Sequence, residues 1–330
     1  MAGLWQWEST NYTGSVSMIK RTLYFGNPAY LSLRNAQLVL RIPDVDGNDA
    51  LSEPIKRNAE RTFPIEDLGM VILDNKRITI THGALERLLD NNCAVITCDS
   101  TSMPAGLLLP LNSHTLQSER FKAQIGSSLP LRKQLWQQTV QAKIQNQAAV
   151  LSRCTSAEIG CMTAWVGEVR SGDTANLEGR AAAYYWRNFF PEFPGFTRCR
   201  EGGAPNSLLN YGYAILRAIV ARSLVGNGLL PTLGIHHHNR YNAYCLADDI
   251  MEPYRPVVDE LVKQIVAAEP DKSRLDDLTT RLKAQLLSLP TIDVTISGRT
   301  RPLMAAVAET TASLSKCFAG EARRLAYPQL

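Results

Sequence analysis

The sequence predicts an α+β protein, a small N-terminal β-rich domain followed by a larger all-helical C-terminal domain. Two observations set this division. From Arg21 to Leu111, short apolar runs alternate with turn residues at hairpin spacing. Beyond Leu111 turn residues thin out, and long segments rich in Gln, Ala, Lys and Leu take over. Length agrees, because 330 residues exceed one typical domain. The boundaries fall at 1–17 for an N-terminal extension, 18–111 for the β-rich domain and 112–330 for the helical domain. With 45% apolar residues and a net charge of +4, the chain buries a core, and disorder is excluded for most of it.

The elements follow in order. Arg21 to Phe25, Tyr30 to Arg34 and Gln37 to Ile42 are strands separated by Gly26-Asn27-Pro28 and Asn35-Ala36. Leu68 to Leu73, Arg77 to Thr81 and Ala94 to Cys98 continue the pattern, with Asp74-Asn75-Lys76 as a tight turn. One helix interrupts, from His82 to about Leu89, with Leu85, Leu88 and Leu89 on one face. An apolar stretch near Met103 to Leu111 closes the region. Helical patterns then cover Gln124 to Arg153, Thr155 to Val169, Asp173 to Phe190, Pro205 to Val225, Asp248 to Ala268, Arg274 to Leu287 and Arg301 to Leu325. Gly226-Asn227-Gly228 with Pro231 stops the fourth of these.

Composition narrows the function classes. Seven cysteines without a Cys-x-x-Cys pair predict buried free thiols in a reducing compartment. Met1 to Ser17 lacks a cationic start followed by an apolar core, so it does not read as a signal peptide. Tyr211 to Val225 is apolar but broken by Arg217 and Arg222, so no membrane span is expected. The expectation is a cytoplasmic protein.

Four features carry chemistry. His236, His237 and His238 are consecutive and follow an apolar stretch. The plain reading is a polar loop, but neutral imidazole is a common metal ligand. Asp249 and Glu252 are three apart, so a helix puts both carboxylates on one face. A helix N-terminus accounts for them equally well, since acidic residues are favoured there. Glu178 opens a helix that Asp173 can cap. On that helix Arg180, Tyr184 and Arg187 form a basic stripe with an aromatic inside it, suited to a nucleic-acid backbone and its bases. A solvated face is the commoner meaning of such a stripe. Asn206, Asn210 and Arg217 share roughly one line of an otherwise buried helix, where polar groups need partners. They either satisfy each other or line a site.

Together these segments carry a resemblance. Asn-Leu-Glu178-Gly-Arg-Ala-Ala, Asn206-Ser-Leu-Leu-Asn210-Tyr-Gly-Tyr, Leu233-Gly-Ile-His-His237-His-Asn and Leu246-Ala-Asp-Asp249-Ile-Met-Glu252-Pro-Tyr-Arg-Pro resemble the CRISPR-associated integrase, the endonuclease subunit of the spacer-acquisition complex. The likeness is nearest to type II systems. The opening Met18-Ile-Lys-Arg-Thr-Leu-Tyr-Phe is also similar to that family's first strands, and the resemblance runs from Met18 to about Lys316.

The resemblance implies a homodimer, two copies of which clamp a dimer of a small partner protein. The assembly captures a double-stranded DNA fragment and inserts it into the CRISPR repeat array as a new spacer. The implied metal ligands are Glu178, His237 and Glu252, which are also the catalytic residues. The family's Gly-x-x-His spacing selects His237 after Gly234, with His236 and His238 left open by crowding. Asp249 supports the site, with Asn206, Asn210 and Arg217 as further supports. Arg180, Tyr184, Arg187, Arg198, Arg200 and Arg240 are the candidate DNA contacts. Two carboxylates and an imidazole suit Mg2+ or Mn2+; zinc more often shows thiolate or several imidazoles. The implied reaction is an in-line displacement by a 3′-hydroxyl or by water, with no covalent protein intermediate. The β-rich domain then serves dimerisation and partner binding, because exposed strand edges pair readily with a second copy. Two other readings use the same residues: a zinc-dependent small-molecule hydrolase built on the three histidines, and a catalytically silent DNA-binding scaffold.

Overall fold

The computed structural model describes residues 20–47, 54, 56 and 59–330. The expected extension, 1–17, lies outside them. The chain divides into two compact units, Met1–Ser113 and His114–Leu330.

The first unit contains two four-stranded sheets. One has the order β1 (Arg21–Phe25), β5 (Leu68–Leu73), β7 (Ala94–Cys98), β8 (Pro104–Leu108); its first three strands are parallel and β8 is antiparallel. The other has the order β4 (Arg61–Pro64), β3 (Gln37–Arg41), β2 (Ala29–Arg34), β6 (Ile78–Ile80). Leu23 and Phe25 of one sheet and Leu31, Leu38, Leu40 and Phe63 of the other share a core with Leu88 of helix α1 (His82–Asp90). Only β2–β3 is the hairpin that the spacing predicts. β1 and β2 belong to different sheets, and so do β5 and β6. β5 is buried along almost its whole length, and a strand buried on both faces takes parallel neighbours through crossovers instead of a hairpin partner. β4 has no apolar run, which is why the sequence hid it; Phe63 is its only fully inward side chain.

The second unit is built on helices α2 (Gln117–Ile125), α3 (Leu129–Cys154), α4 (Gly160–Glu168), α5 (Leu177–Phe189), α6 (Asn206–Gly226), α7 (Cys245–Met251), α8 (Arg255–Ala268), α9 (Thr280–Leu286) and α10 (Leu303–Phe318). Ser128 caps α3 by accepting from Leu131 N–H, and Pro130 fits its first turn. Among the described residues α6 is the one helix long and apolar enough to cross a membrane; here it is the unit's central helix, against α7, α8 and α10.

Several expectations need correction. The unit is not all-helical: β9 (Asp293–Ile296) and β10 (Arg299–Pro302) form a hairpin. Val294 and Ile296 point inward, and Ser297 and Gly298 both take positive φ, the backbone of a tight two-residue turn. The predicted helix from Asp248 to Ala268 is two helices joined by a 3-10 turn, Glu252–Tyr254. Pro253 and Pro256 supply no N–H to a continuous ladder. The last helix starts at Leu303 and stops at Phe318, just before Gly320 at φ +79. The thiols are all free, as expected, but only Cys93, Cys245 and Cys317 are buried.

Candidate metal centre

Glu178 sits in the first turn of α5. Asn176, in the left-handed region at φ 51, accepts from Gly179 N–H, while the Asp173 carboxylate accepts from the amides of Leu177 and Glu178 at 3.0 Å each. These two side chains satisfy the orphan amides of the turn. The Glu178 carboxylate is therefore free to face inward, toward α3.

There it meets Lys143. The Lys143 Nζ donates to Glu178 Oε1 and lies 2.5 Å from Glu252 Oε2. Arg255 Nε holds Glu252 Oε1 at 2.7 Å. Burial opposes the Lys143 charge, but the Glu252 and Glu178 carboxylates outweigh it and raise its pKa above the ordinary lysine value. For Glu252 burial is likewise outweighed: Arg255 and Lys143 bring its pKa down to about 2. Glu252 is thus held as an anion by two cations. Apart from the Lys143 ammonium 2.5 Å away, no donor among the described residues reaches Glu252 Oε2.

Trp136 and Asp249 hold the two neighbouring histidines differently. The His236 ring stacks on Trp136 at 4.1 Å, with planes 2° apart. His237 stands edge-on to the same indole. Its Nδ1 lies 2.5 Å from Asp249 Oδ1, and Asp249, fully buried, also accepts from the His236 and His237 amides. The Asp249 hydrogen bond raises the His237 pKa against the opposing effect of burial, and the charges of Glu252 and Glu178 add to the rise. Nε2 remains for a ligand, in the carboxylate–imidazole arrangement typical of metal-binding histidines. Gly234 makes the loop possible. A Cβ there would lie 2.8 Å from Asp249 Oδ2 and nearer still to the His237 carbonyl oxygen.

The chain therefore gathers Glu178, Glu252 and His237 within mutual electrostatic reach, although they come from three segments. Among the described residues no three His, Cys, Asp or Glu side chains are arranged as a ready cage for a metal ion; Lys143 stands between two of the carboxylates. The donor set still fits a hard divalent ion. It offers two carboxylates and an imidazole nitrogen turned by its own carboxylate partner.

The other predicted residues separate into groups. Arg217 Nε pairs with Asp248 Oδ1 at 2.6 Å, and Asn242 donates to the other oxygen of Asp248. Asn206 and Asn210 accept from Arg198 at 3.0 and 2.7 Å, which fixes the chain around Cys199. Arg198 also lies over the Tyr213 ring, 5.2 Å from its centroid, and Arg255 lies 4.5 Å from the same centroid. Tyr213 and Tyr185 hydroxyls donate to Asp259. Arg180 lies over Trp165, and the Tyr184 hydroxyl is spent on the Glu158 carbonyl. Arg187 and Arg200 are exposed. Arg240 covers the ring of exposed Tyr241 and lines an open cavity of about 460 Å³ with Arg132, His237 and His238.

Sequence reasoning missed Lys143, Arg255, Trp136 and Asp259. Arg255 had a local signal, three residues after Glu252. Lys143 and Trp136 had none, since a lysine and a tryptophan in a Gln- and Ala-rich helix look like a solvated face and a core anchor.

Comparison with known proteins completes the description. A family profile described as CRISPR associated protein Cas1 matches residues 24–289. A CRISPR-associated endonuclease Cas1 of Neisseria meningitidis serogroup C is 35% identical over 318 residues, 95% of this chain and 97% of the relative. A casposase bound to its integration product shares the fold with a TM-score of 0.73 at 21% identity, over 92% of each chain. A chain from a Cas6-RT-Cas1–Cas2 complex gives 0.72 at 20% identity, over 97% of this chain and 37% of its own length.

Proposed function

The chain belongs to the CRISPR-associated Cas1 family of endonucleases, and from that premise we propose that it is a divalent-metal-dependent integrase which inserts captured DNA fragments into a CRISPR array as new spacers. The observation that carries this reading is the gathering of Glu178, Glu252 and His237, from α5, the turn after α7 and the loop before it, around one charged centre. Glu178, Glu252 and His237 Nε2 would hold Mg2+ or Mn2+. When bound, such an ion polarises a phosphodiester and favours an in-line displacement.

The chain's own side chains do the rest. Asp249 fixes the ring orientation of His237 and keeps Nδ1 occupied. Arg255 and Lys143 hold Glu252 ionised, so it is ready as a ligand at any physiological pH. Arg180, Arg187, Arg200 and Arg240 are exposed and bear on the phosphate backbone. Arg198, braced by Asn206 and Asn210, presents the loop that carries Arg200. The first unit pairs two copies and receives a small partner of the Cas2 kind. Its exposed Tyr30, Leu33 and Leu108 supply apolar surface for this. Seven free thiols suit a cytoplasmic location.

The test is half-site integration on branched DNA by the chain purified with its small partner, in Mg2+, Mn2+, Zn2+ or chelator. Joining in Mg2+ or Mn2+ that chelator abolishes is the expected result. Activity in chelator, or in Zn2+ alone, would overturn the metal assignment. DNA binding without any joining would favour the silent scaffold.

A further inference from the structure

Helix α3 delivers to the centre a side chain for which the proposed chemistry does not account. Lys143 is 8% exposed at its side chain, and its ammonium bridges Glu178 Oε1 and Glu252 Oε2. The two carboxylates differ in access. Glu252 is 8% exposed and has its other oxygen taken by Arg255, while Glu178 is 29% exposed and His237 49%. The open side of the pair is the side of His237, and the closed side belongs to Lys143.

Charge decides how many ions such a site accepts. Glu178, Glu252 and Asp249 carry three negative charges, and Lys143 and Arg255 carry two positive ones. An imidazole that ligates a metal is neutral, so these side chains together carry one net negative charge. A single divalent ion leaves one positive charge, which an incoming phosphate cancels. A second ion leaves three, with no further anion among these side chains to meet them. Many phosphoryl-transfer centres do use two ions, roughly 3.5–4 Å apart and bridged by carboxylate, one for each oxygen of the in-line displacement. A cation lodged between two carboxylates is placed where such a bridged second ion would sit.

Resting on the metal-dependent reading above, we propose that Lys143 is the second cation of the centre, so that each chain takes one divalent ion and the Lys143 ammonium replaces the other. Its charge also steadies Glu178 and Glu252 as a pair that otherwise repels itself. An ordinary structural lysine would affect folding alone. This one sets the number and affinity of bound ions, and arginine preserves the effect because only a fixed positive charge is required.

The experiment is a Mn2+ titration of the full chain, read by calorimetry and by the electron paramagnetic resonance signal of free Mn2+. Wild type should bind one Mn2+ per chain. Lys143→Met should bind Mn2+ at least about tenfold more tightly, or take up a second ion, because a repelling charge within contact distance is gone. Lys143→Arg should restore the wild-type result. Two Mn2+ per wild-type chain would overturn the proposal, and so would a folded Lys143→Met protein with unchanged affinity and stoichiometry. If Lys143→Met fails to fold by circular dichroism, the wild-type count and Lys143→Gln decide instead. A wild type that binds no Mn2+ sinks the metal-dependent reading itself. Failure of the Lys143 variants alone leaves that reading standing.

Discussion

The two units solve the burial of charge in opposite ways. Among the described residues of the first unit, Asp74 is the one charged side chain in the buried class, and the core is Leu, Ile, Val, Phe and Met. The second unit buries Lys143, Asp249, Glu252, Asp259 and Lys263 within its helices. Removing a charge from water costs several kcal/mol unless it finds a partner. In the second unit partners are found: Lys143 with Glu178 and Glu252, Arg255 with Glu252, Lys263 with Glu192 and the Phe189 carbonyl. A fold accepts that cost where the charges have work to do. By this criterion the proposed chemistry belongs to unit two, with unit one as its scaffold.

The sharpest way to break the contrast is to exchange the roles. His237→Ala takes one hydrogen bond from buried Asp249, which keeps the His236 and His237 amides, so it should lower the thermal midpoint only slightly and reduce integration to background. Leu88→Ala in the first unit should do the reverse. It should cost about 2–5 kcal/mol of that unit's stability in urea unfolding and leave Mn2+ affinity as it was. A His237→Ala as destabilised as Leu88→Ala, or a Leu88→Ala that loses the ion, would show that the two properties are not segregated.

Within the centre the contrast repeats on a smaller scale. Glu252→Gln leaves Arg255 and Lys143 without their shared anion inside the protein, at a cost of about 3–5 kcal/mol. Glu178→Gln breaks a pair that solvent partly screens, and about 1 kcal/mol or less is expected. Unfolding in chelator measures both, and equal costs would mean that Glu252 is less enclosed than described here.

Asp259 gives the contrast a pH dependence. Burial pushes its pKa up to about 7, against the Tyr213 and Tyr185 hydroxyls and the charges of Arg255 and Arg198. The folded chain therefore holds a proton that the unfolded chain releases near pH 4. That stabilisation is complete below pH 4 and is lost as pH rises through 7. Between pH 5 and 8 it amounts to about 2–3 kcal/mol. The thermal midpoint should fall over that interval in wild type, by about 2–4 °C per kcal/mol, and fall less in Asp259→Asn. Parallel curves for the two proteins would refute the assignment.

The smallest expected effect is on the surface. Arg180→Gln should weaken DNA binding alike for all sequences and lower the slope of log affinity against log salt by about 1. An unchanged slope would mean that Arg180, lying over Trp165, serves packing between α4 and α5 instead.

The elements along the chain were largely legible, because hydrophobic period and turn residues are local. Their pairing was not. Gly26-Asn27-Pro28 looks like a hairpin turn, yet it carries the chain from one sheet to the other. The Ser297-Gly298 turn, flanked by alternating residues, was readable and was masked by the helical texture around it. At the site, Glu178, the histidine run, Asp249 and Glu252 stood out by residue type, and the family resemblance joined Glu178, His237, Asp249 and Glu252 into one site. What they could not indicate was the indole against which both histidine rings pack, or the lysine that joins the carboxylates. Trp136 lies one hundred residues before His236, and Lys143 thirty-five before Glu178. Such partners are set by the packing of α3, which no local pattern encodes.

The crowding at Gly234 carries a consequence for mutational tolerance. Gly234 is fixed by the backbone that folds over it, and any side chain there would push the His237 carbonyl and Asp249 apart. A saturation survey scored on activity would find Gly234 as intolerant as His237 itself. Surveys of that kind, read without the structure, would count a steric requirement as a chemical one.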